Sequence, residues 1–237
     1  MDENVFSKRN KMIPEISNGA RLVSNIKSAI GANLLPGLCL QLFALTIGLS
    51  YFYWPASHPA FQFFADLKAE YGGVYAMIST SIFGGLLPFL YMLLSGKIRF
   101  LPVQQLLFYL LVWAILGWVI NAFYGFQVVL FGDGTDWLTI VKKTAFDQFV
   151  FSVFITAPFI ALAFLWKDQQ FNWQKTKMYF DDLIKVQIPT TVVTTWIIWI
   201  PAVSLIYMMP TNLQIPLFNL VLCFFVLILA ILNVDDK

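Results

Sequence analysis

The sequence predicts an all-α integral membrane protein, a bundle of about six transmembrane helices with both termini on the cytoplasmic side. Three observations carry this prediction. Of 237 residues, 59% are apolar and only 12% charged, where a soluble domain has about 25% charged residues. Several apolar stretches reach or approach the ~20 residues that cross a ~30 Å hydrocarbon core at about 1.5 Å per residue. Read as six spans, they leave twelve of the 15 Lys and Arg residues on one side of the membrane. That is the asymmetry the positive-inside rule expects.

Residues 1–32 are polar, carry Asp2, Glu3 and Glu15, and lack the small-residue cleavage site of a secretory signal. They predict a retained tail with a short helix around Ile16–Ile30. A single transmembrane domain covers 33–232, with spans at 34–54, 73–95, 105–131, 145–166, 188–209 and 215–232, followed by a short tail at 233–237. The third span is long enough to tilt. Pro210, Thr211 and Asn212 form a short turn that makes the fifth and sixth spans a tight hairpin. In this topology Lys8, Arg9, Lys11, Arg21, Lys27, Lys97, Arg99, Lys167, Lys175, Lys177, Lys185 and Lys237 share one side. Only Lys68, Lys142 and Lys143 lie opposite. Tyr51, Tyr53 and Trp54 close the first span, and Trp137 and Trp166 flank the fourth, where interfacial anchors belong.

Several function classes are excluded at this level. Lys+Arg 15 against Asp+Glu 13 leaves no excess charge to recruit nucleic acid. Cys39 and Cys223 lie in separate apolar runs, so they imply neither a disulfide framework nor a metal site. His58, the sole histidine, is placed in an outer loop with no partner ligands. No P-loop, dinucleotide fingerprint or nucleophile elbow is present. The chain is not expected to be an enzyme or to hold a cofactor or metal. The FGDGTDW segment at 131–137 reads as a polar turn.

Within the apolar spans, polar residues fall in stripes. In the fourth span Thr144, Gln148, Ser152 and Thr156 recur every four residues along one slowly drifting face, with Asp147 beside them. Lys143 stands one turn before Asp147, the spacing of an i,i+4 ion pair. Asn121, Tyr124 and Gln127 share a face of the third span, and Thr190, Thr191, Thr194 and Thr195 crowd the start of the fifth. Two readings stay open. The residues hydrogen-bond between helices, at about 0.6 kcal/mol each, or they converge on a polar pathway. Pro88, Pro158 and Pro201 predict kinks, each depriving the carbonyl four residues back (Gly84, Phe154, Ile197) of its donor. Trp196 and Trp199 lie near the centre of the fifth span, away from the usual interfacial depth, and call for a hydrogen-bond acceptor. A faint echo links SIFGGLLPF in the second span to SVFITAPF in the fourth.

The second half of the chain, about 142–229, resembles the Mpv-seventeen family of small peroxisomal and inner mitochondrial membrane proteins with bacterial relatives. KKTAFDQ at 142–148 is similar to that family's K-x3-DQ element, and Trp196, Trp199, Pro201, Pro210 and Asn219 are similar to its closing signature. The chain departs from the pattern at Ile200, which separates Trp199 from Pro201, at Gln214, where a basic residue is typical, and at Phe225, where a tryptophan is typical. The resemblance implies a role in membrane permeability or metabolite handling. The sequence therefore carries two functional expectations. One is a channel or facilitator for small polar solutes, with Asp147 and Gln148 meeting solute and Trp196 and Trp199 narrowing the path. The alternative is a structural or partner-binding membrane protein. Expected partners are the lipid bilayer, a small polar solute and a second copy of the chain. A bacterial inner membrane is favoured over a peroxisomal or mitochondrial inner membrane.

Overall fold

A computed structural model describes residues 18–232; the expected tail before Asn18 and the one at 233–237 lie outside them. The described chain is helical, with no strand among the described residues. Six of its helices are long and apolar enough to cross a membrane: Gly19–Tyr53, Pro55–Leu94, Pro102–Phe131, Trp137–Asp168, Phe180–Tyr207 and Thr211–Ile228.

All six spans begin before their predicted starts, the first and second by the widest margins. The first belongs to one helix, Asn18–Tyr53, so the described part of the helix expected around Ile16–Ile30 runs straight into the span. No breaker separates them, because Pro36 lies inside the helix. Its start is tied to the fifth span by an ion pair between Arg21 and Asp182 at 2.6 Å. The second span begins at Pro55 rather than Gly73 because His58–Thr80 is helical across a bend at Gly72. There φ is 53°, a left-handed value that glycine adopts without a Cβ clash. His58 thus occupies the first turn of a helix rather than a loop, and its Nε2–H donates to the Tyr51 carbonyl at 2.8 Å.

The fourth span starts on a side-chain cap. Asp136 accepts from the Thr139 amide at 3.1 Å, occupying one of the free N–H groups of the first turn. Hydrogen bonds from Thr139 hold the Asp136 carboxyl below its usual range. A depressed carboxyl stabilises the cap above its ordinary pKa, and that contribution is lost as pH falls through the lowered value. Asp136→Ala is expected to lower the hydrogen-exchange protection factor of the Thr139 amide at neutral pH. Acidifying the wild type is expected to do the same. A protection factor unchanged in the variant would show that the cap does not hold this turn.

Three helical segments widen into π geometry: Ser81–Leu86, Asp147–Thr156 and Leu183–Gln187. Each ends two residues before a proline, at Pro88, Pro158 and Pro189. The intervening N–H of Leu87, Ala157 or Ile188 reaches back five residues, to Ile82, Ser152 or Leu183. A proline ring crowds the carbonyl four residues before it. Widening the preceding turn relieves that crowding, so the kinks expected at Pro88 and Pro158 take the form of π turns. Pro189 does the same and was not among the prolines singled out from sequence. Pro201 remains within the regular helix Ile188–Tyr207, and Gln41 of the first span donates to the neighbouring Ile198 carbonyl at 2.7 Å.

The spans close into a ring in the order first, fifth, fourth, third, second, sixth, with the sixth returning to the first. The fifth and sixth also touch directly: Trp199 lies 5.4 Å from the Phe218 ring, as the short hairpin turn requires. Large apolar side chains face outward, Val129 at 83% and Phe154 at 73% exposure. Water would not tolerate so much apolar surface; a lipid bilayer removes the cost. The chain is an integral membrane protein.

Candidate functional site

The site grows from the π segment of the fourth span. In a regular α-helix, residues four apart drift around the axis at 3.6 residues per turn. The wider turn over Asp147–Thr156 offsets that drift, so the polar stripe does not wander as its α-helical reading predicts. Thr144, Gln148 and Ser152 are all buried. Gln148 and Ser152 face a cavity of about 630 Å³ among the helices, whereas Thr144 bonds to Ser204 of the fifth span at 3.2 Å. Asp147, Gln148, Ser152, Thr156 and Tyr124 line it together with Thr190, Thr191, Thr194, Thr195 and Trp199. The remaining wall is mainly aromatic and aliphatic, including Trp113 and Phe218, and Lys97 lines the end towards the termini.

Asp147 anchors the polar end. Its Oδ1 accepts from Gln148 Nε2 at 3.0 Å and its Oδ2 accepts from the Tyr207 hydroxyl. Gln127 Nε2 donates in turn to the Tyr207 oxygen at 3.0 Å, and the Tyr124 ring packs edge-on against Tyr207 at 5.3 Å. Four buried side-chain atoms lack a hydrogen-bond partner among the described residues: Gln41 Oε1, Gln127 Oε1, Gln148 Oε1 and Ser152 Oγ. The last two belong to cavity-lining residues, each only 2% exposed. Leaving such atoms unpartnered costs about 1–3 kcal/mol each, which a bound polar group would recover.

Several sequence expectations are corrected here. Lys143 makes no ion pair with Asp147, although it is buried at 1% exposure. The carboxylate is drawn instead to Tyr207 and Gln148, because the π turn begins at Asp147 and the fifth span brings a phenol against it. Asn121 does not reach the cavity; its Nδ2 lies 3.6 Å from where a Cβ on Gly73 would stand, so it faces the second span. Trp196 does not narrow the path either. Its Nε1 donates to the Gln148 backbone carbonyl at 2.7 Å, and its ring packs edge-on against Phe149 at 5.0 Å. It therefore braces the π segment from outside the cavity.

Three of the four fifth-span threonines that line the cavity have their protons already committed. Thr190, Thr191 and Thr194 donate to the carbonyls of Val186, Gln187 and Thr190 at 2.7, 2.9 and 2.8 Å. They show the cavity methyl groups and oxygen lone pairs. Of the signature positions, Pro210 sits in the hairpin turn, where its carbonyl accepts from the Leu213 amide at 2.8 Å. Asn219 is buried between spans; it accepts from Thr80 at 2.8 Å and donates to Ser79 at 2.7 Å. Gln214 closes the turn through the Met209 carbonyl at 3.2 Å.

Tyr207 is the functional residue that sequence reasoning missed. At the end of a span, next to a turn, a tyrosine reads as an interfacial anchor, and nothing local marks it as a carboxylate partner. Gln127 was visible through its stripe with Tyr124.

A ring of six apolar helices around a partly polar cavity defines the class: a polytopic helical membrane protein. Comparison with family models gives no match, and comparisons with curated proteins and with solved structures give no significant match.

Proposed function

We propose that this protein is a channel or facilitator for small polar solutes, in keeping with its resemblance to the Mpv-seventeen family. The observation that supports the reading is a cavity of about 630 Å³ at which the polar residues of the fourth and fifth spans meet. Its size falls in the ~300–1,000 Å³ range of small-molecule sites. The distribution of Lys and Arg supports a topology with both termini in the cytoplasm, and the two-sided bias favours a bacterial inner membrane over an organelle. Solute enters from the end lined by Lys97 and meets Asp147 and Gln148, with Trp199 forming the wall opposite. The competing reading is a structural or partner-binding protein. It draws support from the Asn219 clamp and from the threonine hydroxyls that bond only to their own helix.

The test is release of encapsulated radiolabelled erythritol from liposomes containing the purified protein, alongside Asp147→Ala and Trp199→Ala. Wild-type release that changes in both folded variants supports the pathway. Release no faster than from empty liposomes, with protein shown to be folded, moves the assignment to the structural reading.

A further inference from the structure

Resting on that reading of the cavity, we propose that its ligand is an amphipathic amine, a small organic cation. Its ammonium group sits at Asp147, Gln148 and Ser152, and its apolar body lies against Trp113, Trp199 and Phe218.

The polar end of the cavity is rich in acceptors and poor in donors. Both oxygens of Asp147 are in hydrogen bonds, with Gln148 and with Tyr207. Both partners are neutral, and Asp147 makes no ion pair with any described residue. A buried carboxylate without a cation is an expensive arrangement unless something charged completes it. Gln148 spends its amide N–H on Asp147 and leaves Oε1 unpartnered; Ser152 Oγ is unpartnered as well. Thr190, Thr191 and Thr194 donate back to their own helix and offer only lone pairs. What is missing at this end is a group with several N–H donors and a positive charge. An ammonium has three donors and no acceptor. An anion finds only the Ser152 hydroxyl there, beside the Asp147 carboxyl.

The other walls suit the rest of such a molecule. Trp113 and Trp199 present indole rings, which attract cations by their faces and pack against apolar bodies. Lys97 lines the end towards the termini, its Nζ 5.9 Å from the centre of the Tyr91 ring. Lys97 carries the same charge as an ammonium and disfavours it at that end, which leaves Asp147 as the place for the head group.

The test uses three probes that share an aromatic body and differ in the head: 2-phenylethylamine, 2-phenylethanol and 3-phenylpropanoate. Each is measured by equilibrium binding to the full chain in lipid nanodiscs, with empty discs subtracted. The amine is expected to bind at least roughly tenfold more tightly than the alcohol, since a charge-assisted bond outweighs a neutral one by that order. The carboxylate is expected to bind no better than to empty discs. Asp147→Asn is expected to bring amine and alcohol within about twofold of each other, because the charge is removed and one acceptor oxygen becomes an N–H donor. Ser152→Ala is expected to weaken amine binding while leaving the ligand-free melting temperature equal or higher, because the hydroxyl it removes has no partner. Ser152→Ala therefore carries the test even if the Asp147 variant does not fold. Equal binding of all three heads, tighter binding of the carboxylate, no binding of any probe to folded wild type, or an amine affinity untouched by the folded variants would each overturn the proposal. Any of these with erythritol release intact removes the amine and leaves the solute pathway. The same result with release also absent removes both.

Discussion

Ser152→Phe is expected to reduce solute release from liposomes at least roughly tenfold while the protein stays folded. Ser152 lines the cavity from the middle of the π segment, and its hydroxyl makes no hydrogen bond that the substitution could break. A phenyl ring at this point is directed at a cavity of about 630 Å³, although Ser152 itself is only 2% exposed. The usual cost of overpacking, about 1–3 kcal/mol, arises when neighbours must move, and the adjoining cavity keeps it at the low end of that range. Flux and stability should therefore separate: release falls towards that of empty liposomes, and the melting temperature stays within a few degrees. Undiminished release from folded Ser152→Phe would show that solute does not pass this cavity. Loss of folding together with loss of release would mean that the cavity is filled in a way the helical ring cannot adjust to.

Gly117→Ala is expected to give the largest loss of stability from a single methyl group. The second and third spans meet here with no room for one: a Cβ on Gly117 would lie 2.7 Å from Thr80 Cβ and closer still to the Ala76 carbonyl oxygen. The oxygen belongs to backbone and Ala76 is fully buried, so the spans must part to admit the methyl. Parting them also pulls Thr80 from Asn219, whose hydrogen bond at 2.8 Å links the second span to the sixth. A cost of about 1–3 kcal/mol is expected, or a fall of several degrees at about 2–4 °C per kcal/mol for a chain of this size. Gly125→Ala in the same helix is the control. A Cβ there has nothing within 4 Å, and replacing a helical glycine with alanine normally adds about 0.4–1 kcal/mol. Thermal unfolding in detergent, followed by tryptophan fluorescence, compares the two. Equal melting temperatures would mean that the close approach at Gly117 does not hold the spans together.

Some of this was legible in the residue order because it depends on composition and local spacing. A span is defined by its length against the bilayer, so all six were recoverable. The fifth–sixth hairpin followed from a turn too short to allow anything else. The stripe at Gln148, Ser152 and Thr156 and the threonines at 190–195 were readable as two polar faces, and both line the cavity. The early helix starts at Asn18 and Pro55 were less legible. Polar residues carry no bilayer signal, and a bend at a single glycine does not end a helix.

What the sequence determined by itself was the solvent, the number of spans and which helix faces are polar, since each follows from side chains counted along one helix. Only the tertiary structure decided which of those faces meet. Lys143 lies one turn from Asp147 in sequence, yet Tyr207 and Gln148 hold the carboxylate. Asn121 lies one turn from Tyr124 but faces the second span, and Trp196 turns its indole to a backbone carbonyl outside the cavity. The physical reason is tertiary in each case. The proline-associated π turn changes the rotation between successive side chains from Asp147 onward, and for all three the ring order of the helices selects the neighbour that each face meets. Neither quantity is a property of a local stretch of chain.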